Sequence, residues 1–222
     1  KAENLIKFED EIAKLYEAAK IRSPIHLSTR NEKKLIRIFK DFKDGDWVFS
    51  THRSHYHWLL SGRDREELKQ QILEGHSMHI FGDKFFTSAI VGGNAPIALG
   101  VAAALKLKNS PNKVWCFVGD ASYECGIVQE CIKYAQGHNL PVTFIVEDNG
   151  YCVIANTKQT WGTKKAEVLR KYKYSWGYYP KAGPIYIFFV LFFALVFISV
   201  VAVLYYHLKL KKIGRLPNEV NR

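Results

Sequence analysis

The sequence predicts a mixed α/β domain built on a parallel sheet, and three observations lead there. Two short apolar runs, VWCFVGD at Val114–Asp120 and VTFIVEDNG at Val142–Gly150, each end in Gly or Asn beside an acid. A helix-like segment separates them, which makes a βαβ unit. From Ala89 the run AIVGGNAPIALGVAAALKLK spaces Gly92, Gly93, Ala95, Ala98, Gly100 and Ala102 to Ala104 closely along a helix, so that another helix or a ligand can approach its backbone. In such sheets ligands bind at the carboxyl ends of the strands, where Asp120 and Asn149 both fall.

The elements before that unit read in order from the N-terminus. Residues 3–21 place Leu5, Ile6, Ile12, Leu15, Tyr16 and Ala19 at helical spacing between charges, an amphipathic helix. Asn31 to Phe42 reads as a second helix. Asp44 to Gly62 mixes short apolar runs with turn residues around a dense polar cluster, Thr51-His52-Arg53-Ser54-His55-Tyr56-His57. Asp64 to Glu74 is a surface helix, and Ser77 to Ser88 is loop-like.

Composition limits the function classes. The chain has 222 residues with 24% charged and 14% aromatic side chains, the profile of a folded protein rather than a disordered one. Its four cysteines contain no C-x-x-C pair, so neither a zinc ribbon nor a thioredoxin-type motif is present, and a reduced setting is expected. The net charge of +11 invites a nucleic-acid reading until its location is considered. Twelve of the 32 basic residues but only two of the 21 acids lie after Asn156, so the first 156 residues are nearly neutral and no nucleic-acid partner is expected.

The excess charge flanks one apolar run. From Ile185 to Tyr206 there are 22 residues without a charge, bordered by tyrosines and followed by Lys209, Lys211, Lys212 and Arg215. A helix of that length, at about 1.5 Å per residue, covers a hydrocarbon core of roughly 30 Å. The sequence therefore predicts a main domain over 1–184, a single transmembrane helix over 185–206 and a basic tail over 207–222. The expected location is a cytoplasmic domain anchored by that span, with its orientation open.

The strand ends carry the candidate chemistry. Magnesium takes oxygen ligands, usually one or two of them carboxylates, and completes its shell with phosphate and carbonyl oxygens. Asp120 offers a carboxylate, Asn149 an amide oxygen, and a carbonyl just beyond it a third donor. Small residues at Gly119, Ala121 and Ser122 allow a diphosphate to reach backbone N–H groups.

These residues resemble a family. GDASYECG from Gly119, followed by KYAQGHNLPVTFIVEDNGY with Asp120 and Asn149 29 positions apart, is similar to the cofactor signature of the alpha subunits of thiamine-diphosphate-dependent 2-oxoacid dehydrogenases. The likeness extends through IHLSTRNE at Ile25, WVFSTHRSHYHWLLSG at Trp47 and HSMHIFGDKFFTSAIVGGNAPIALG at His76, covering roughly 21–161. It implies a thiamine-diphosphate-binding fold, with thiamine diphosphate and Mg2+ as cofactors. Asp120, the Asn149 side chain and the Tyr151 carbonyl would bind the metal. Gly119, Ala121 and Ser122 would meet the diphosphate, Arg53 would neutralise it, and His52 would contact the cofactor. Backbone groups at Ala89 and Val91 would meet the aminopyrimidine, and His55 is the expected catalytic histidine, as proton donor or substrate contact.

The implied activity is oxidative decarboxylation of a 2-oxoacid with a beta-type, pyrimidine-binding subunit as partner, as a heterotetramer, the acyl group passing to a lipoyl-bearing acyltransferase. The departures from the pattern are Ala121, where the signature has its third glycine, and Asp148, where it has the first of two asparagines. The stretch after the signature is also expected to have no room for the loop that carries further active-site histidines in long alpha subunits. They leave two alternatives: a split transketolase-like ketol transferase subunit, or a non-catalytic, membrane-anchored binding or scaffolding relative.

Overall fold

A computed structural model of the protein describes residues 1–152 and 155–162, together with 205, 208 and 209. The chain divides into two compact units, Lys1–Lys165 and Ala166–Arg222. The second falls almost wholly outside the described residues, as does the expected span at 185–206 apart from Tyr205. Among the described residues no helix is long and apolar enough to cross a membrane.

The first unit opens with α1 (Ala2–Glu17), whose Leu5, Phe8 and Ile12 line one buried stripe. It ends four residues before the expected boundary because Ala19 turns into the left-handed region (φ 54°) and Lys20 N–H bonds back to Leu15 O. Ile21 then leaves the helix axis and packs into the core. Next come α2 (Glu32–Ile38), β1 (Trp47–Ser50), α3 (His55–Leu60) and α4 (Arg65–Leu73). α4 starts where expected because the Asp64 side chain accepts the Glu67 N–H at 2.7 Å, an N-cap. The stretch expected to be loop-like, 77–88, contains a small antiparallel hairpin of β2 (Phe81–Gly82) and β3 (Phe85–Thr87). Then follow α5 (Asn94–Leu107), β4 (Val114–Gly119), α6 (Asp120–Tyr123), α7 (Gly126–Gly137) and β5 (Val142–Glu147). A second hairpin, β6 (Tyr151–Cys152) with β7 (Ala155–Asn156), leads into α8 (Thr157–Trp161).

The main sheet has the order β2-β3-β1-β4-β5. Its β1–β3, β1–β4 and β4–β5 pairs are all parallel, as the βαβ reading required. β4 shows why both faces are covered. Val114, Cys116 and Val118 point into one apolar layer with Ala95, Ala98 and Ala102 of α5 and Val128 and Cys131 of α7. Trp115 and Phe117 point into the other, with Leu5, Phe8, Ile12, Leu35, Leu68 and Ile72 of α1, α2 and α4. A period-two strand buried on both sides therefore reads as a continuous apolar run. Asp46 ties the amino ends together, accepting from Lys113 N–H at 2.8 Å and Trp115 Nε1 at 2.9 Å.

The small-residue helix begins later than its composition suggests, because Gly92 interrupts it. Gly92 has φ +71°, and a Cβ there would lie 2.9 Å from Ile127 Cγ2 and 3.1 Å from Val128 Cγ2. The turn at 90–93 is thus pressed against α7. Replacing Gly92 with Ala is expected to destabilise the chain by about 1–3 kcal/mol. Gly100→Ala, inside α5 with open space around its Cβ, should instead stabilise it by roughly 0.5–1 kcal/mol. Urea-unfolding midpoints of the two variants measure both.

Candidate functional site

The parallel strands end on one edge, and short bonds hold that edge in shape. Asn94, at the start of α5 and only 3% exposed, donates both to Ser50 O (3.3 Å) and to Phe117 O (2.7 Å). One side chain thereby links the carboxyl ends of β1 and β4. Ser88 N–H donates to the same Ser50 carbonyl at 3.2 Å, fixing the end of β3 as well.

Beyond β4 and β5 lies a cluster of oxygen donors. Gly119 leaves β4 in extended conformation and Asp120 opens α6. Asp120 Oδ2 accepts the Gly150 N–H at 3.1 Å, and Asp148 Oδ1 accepts the same N–H at 2.9 Å. The positive φ of Gly150 (+75°) lets the loop turn back to present that N–H. Burial holds the Asp120 carboxyl above its ordinary range and the neighbouring Asp148 adds to the rise, while the Ala121 and Gly150 N–H groups oppose it. A divalent cation would relieve this crowding of two carboxyl groups. The donors Asp120, Asn149 and the carbonyl of Tyr151 are all oxygens, so the set fits magnesium in type. The Asn149 amide oxygen also accepts the Tyr151 N–H at 2.8 Å. Ala121 has no positive φ and Ser122 follows it in the same helical turn. Alanine in place of the signature's glycine is therefore accommodated without backbone strain.

A second group gathers after β1. The His52 ring meets His26 edge to face with centroids 4.6 Å apart. The exposed Arg53 donates from Nη1 to Leu27 O at 3.3 Å. His52 is pushed down to about 4, chiefly by burial and then by the charges of His26 and Arg53, against a smaller upward pull from Glu147. His26 is lowered by burial and by Arg53. Among the described residues no hydrogen bond joins this group to the Asp120 cluster; the charge of Glu147, at the end of β5 beside Asp148, reaches His52. Glu147 Oε1 also lies 3.4 Å from Nε2 of the fully buried His57, close enough for an ion pair but not aligned for a hydrogen bond.

The remaining expected residues divide. Ala89 and Val91 lie in the turn after β3, with Ile90 and Val91 strongly exposed at 73% and 61%. His55 does not share the open edge: it is fully buried, with Nδ1 2.9 Å from Glu9 Oε2 and Nε2 3.2 Å from Ser77 Oγ. His26, Asn94 and Glu147 gained no role from the sequence, because what marks each of them is a partner distant in the chain. For His26 the signal was its place inside the IHLSTRNE motif.

Residues 1–171 match the family of the dehydrogenase E1 component. The chain belongs to that family. This E1-component chain is 34% identical over 156 residues to the alpha subunit of the acetoin:2,6-dichlorophenolindophenol oxidoreductase of Bacillus subtilis, covering 65% of this chain and 47% of that one. It is 30% identical over 159 residues to the pyruvate dehydrogenase E1 component subunit alpha of Rickettsia prowazekii, covering 66% and 49%. It thus spans about half the length of the curated relatives it matches. Among solved structures, benzoylformate decarboxylase of Polynucleobacter necessarius aligns with a TM-score of 0.39 and 18% identity over 58% of this chain and 23% of that one, too loosely to bear on the site.

The depressed His52 fixes a pH dependence. Between about 4 and the ordinary histidine value of 6.5 the unfolded chain binds the proton that folded His52 refuses. Its contribution to stability is therefore fully present above pH 6.5 and is lost as pH falls towards 4. An NMR titration of the full chain should give His52 a midpoint near 4, and Arg53→Ala should raise it.

Proposed function

We propose that the chain is the diphosphate-binding part of an alpha-type subunit of a thiamine-diphosphate-dependent 2-oxoacid dehydrogenase, which carries out oxidative decarboxylation together with a beta-type subunit. The observation that carries the reading is the joining of Asp120 to the 148–151 loop across the carboxyl ends of β4 and β5. Two relatives are alpha subunits by name, one of a pyruvate dehydrogenase E1 component and one of an acetoin oxidoreductase, which supports both the reaction class and the need for a second subunit.

When bound, thiamine diphosphate supplies a nucleophilic carbon and an electron sink for decarboxylation. This chain's residues would bind and orient it. Asp120, the Asn149 side chain and the Tyr151 carbonyl would hold magnesium, which would offset the negative charge of the diphosphate. The N–H groups of Ala121 and Ser122 would donate to the diphosphate where Gly119 leaves the backbone open. Arg53 is exposed and, among the described residues, its side chain is tethered through one nitrogen to Leu27 O, which leaves the rest of its planar fork to take a phosphate. His52, held neutral at pH 7, would pack on the cofactor without repelling the nearby arginine. Backbone groups at Ala89 and Val91 would meet the aminopyrimidine.

The edge is open. Ile90, Val91, Val146 and Tyr151 leave 40–73% of their surface exposed around it. Apolar exposure at a ligand site supports a partner surface that covers the cofactor. A lipoyl-bearing acyltransferase would take the acyl product. The uncharged run 185–206 supports a membrane anchor on its sequence alone.

Calorimetric titration of the full chain with thiamine diphosphate and Mg2+, with and without a candidate beta subunit, tests the reading. Magnesium-dependent binding is expected, weakened more than about 100-fold by Asp120→Ala and about 10- to 100-fold by Arg53→Ala. No binding even with the partner present would overturn it and leave the non-catalytic alternative.

A further inference from the structure

Glu9 lies in the middle of α1, far in sequence from every residue of the candidate site, and it is only 5% exposed. A buried carboxylate needs donors, and Glu9 has one for each oxygen. Oε1 accepts the Ser28 N–H at 3.0 Å, and Oε2 lies 2.9 Å from His55 Nδ1. The opposite ring nitrogen of His55 is 3.2 Å from Ser77 Oγ, and neither His55 nor Ser77 is exposed to solvent. No Lys or Arg side chain bonds Glu9 among the described residues.

The two groups held by Glu9 stand at the feet of the two loops that build the cationic half of the site. Ser28 follows Leu27, whose carbonyl receives Arg53, and His26, whose ring packs on His52. His55 comes two residues after Arg53 and opens α3, where Ser54 makes no side-chain cap bond. The His55 ring is held at both nitrogens where that helix begins.

We propose that Glu9 is a positioning residue: one buried carboxylate pins the 26–28 and 51–55 loops together and holds His55 as the Nδ1–H tautomer, so that His55 braces the site instead of donating a proton within it. A carboxylate only accepts, so Nδ1 carries the hydrogen, and the Nε2 lone pair is left for the Ser77 hydroxyl. The loops' effect on cofactor affinity depends on the functional reading above, whereas the tautomer and the loop geometry do not.

The test uses the full chain with 15N-labelled histidine, compared with Glu9→Gln and Ser77→Ala. Glutamine keeps the size of Glu9 but has one oxygen acceptor, so it can satisfy only one of the two N–H donors. The wild type is expected to show His55 as Nδ1–H. Ser77→Ala should keep that tautomer. Glu9→Gln should lose it, shift the ring signals of His26 and His52, and weaken magnesium-dependent thiamine diphosphate binding about tenfold, against less than about twofold for Ser77→Ala. A wild-type His55 in the Nε2–H form overturns the proposal, even where Glu9→Gln fails to fold. Unchanged His26 and His52 signals in a folded Glu9→Gln chain do the same. The expected histidine spectra in a chain that binds no thiamine diphosphate would support the positioning role while sinking the functional reading.

Discussion

The parallel alignment of β1, β4 and β5 is the constraint on which the rest depends. Because Phe49 pairs with Cys116, and Gly119 with Glu147, the strands finish on the same edge. Loops carrying His52, Asp120 and Asn149 are then neighbours although they come from positions about 100 residues apart in the chain. A parallel sheet requires cover on both faces, which α1 to α4 supply on one side and α5 with α7 on the other. The apolar interior thus positions the polar edge. The strand ends are in turn tied together by Asn94, which donates to the Phe117 carbonyl and shares the Ser50 carbonyl with the Ser88 N–H.

The polar groups fall into two electrostatic neighbourhoods with different logic. Around Asp120 two carboxyl groups crowd a single backbone N–H, an arrangement that favours a cation. Around Arg53 two histidines are kept neutral by burial and by the arginine itself, so the positive charge stays on the group that never titrates. Positive charge on one side and a cation-ready carboxylate on the other suit a ligand that carries its own negative charge and brings a metal with it. Beneath them, the Glu9–His55 pair sits inside the apolar core. Leaving one group of such a buried hydrogen-bonded pair without its partner costs about 1–3 kcal/mol, which makes it a firm anchor.

Much of this was legible in the sequence, and the gaps have physical causes. The β4–α7–β5 unit and the pair Asp120 and Asn149 stood out because short apolar runs ended abruptly in polar turns. β1 and α3 did not, because the polar cluster at 51–57 breaks up their short apolar runs, although His55, Tyr56, His57 and Trp58 are all buried, the histidines against aromatic rings. The small-residue helix was placed too early, since composition does not reveal that Gly92 needs a positive φ against α7. Asn94, Glu9 and His26 act on partners 19 to 46 residues away. No local pattern records such contacts. The expected His55 was found by its motif, but its surroundings are those of a core anchor.

The central claim is that the carboxyl edge holds a diphosphate through a metal set between Asp120 and the 148–151 loop. Replacing Mg2+ with paramagnetic Mn2+ and recording amide NMR spectra of the full chain with thiamine diphosphate tests it most directly. The account predicts that the amides of residues 120–122 and 149–151 broaden first, and only when the diphosphate is present. Broadening centred elsewhere, or none at these residues at saturating cofactor, would contradict it.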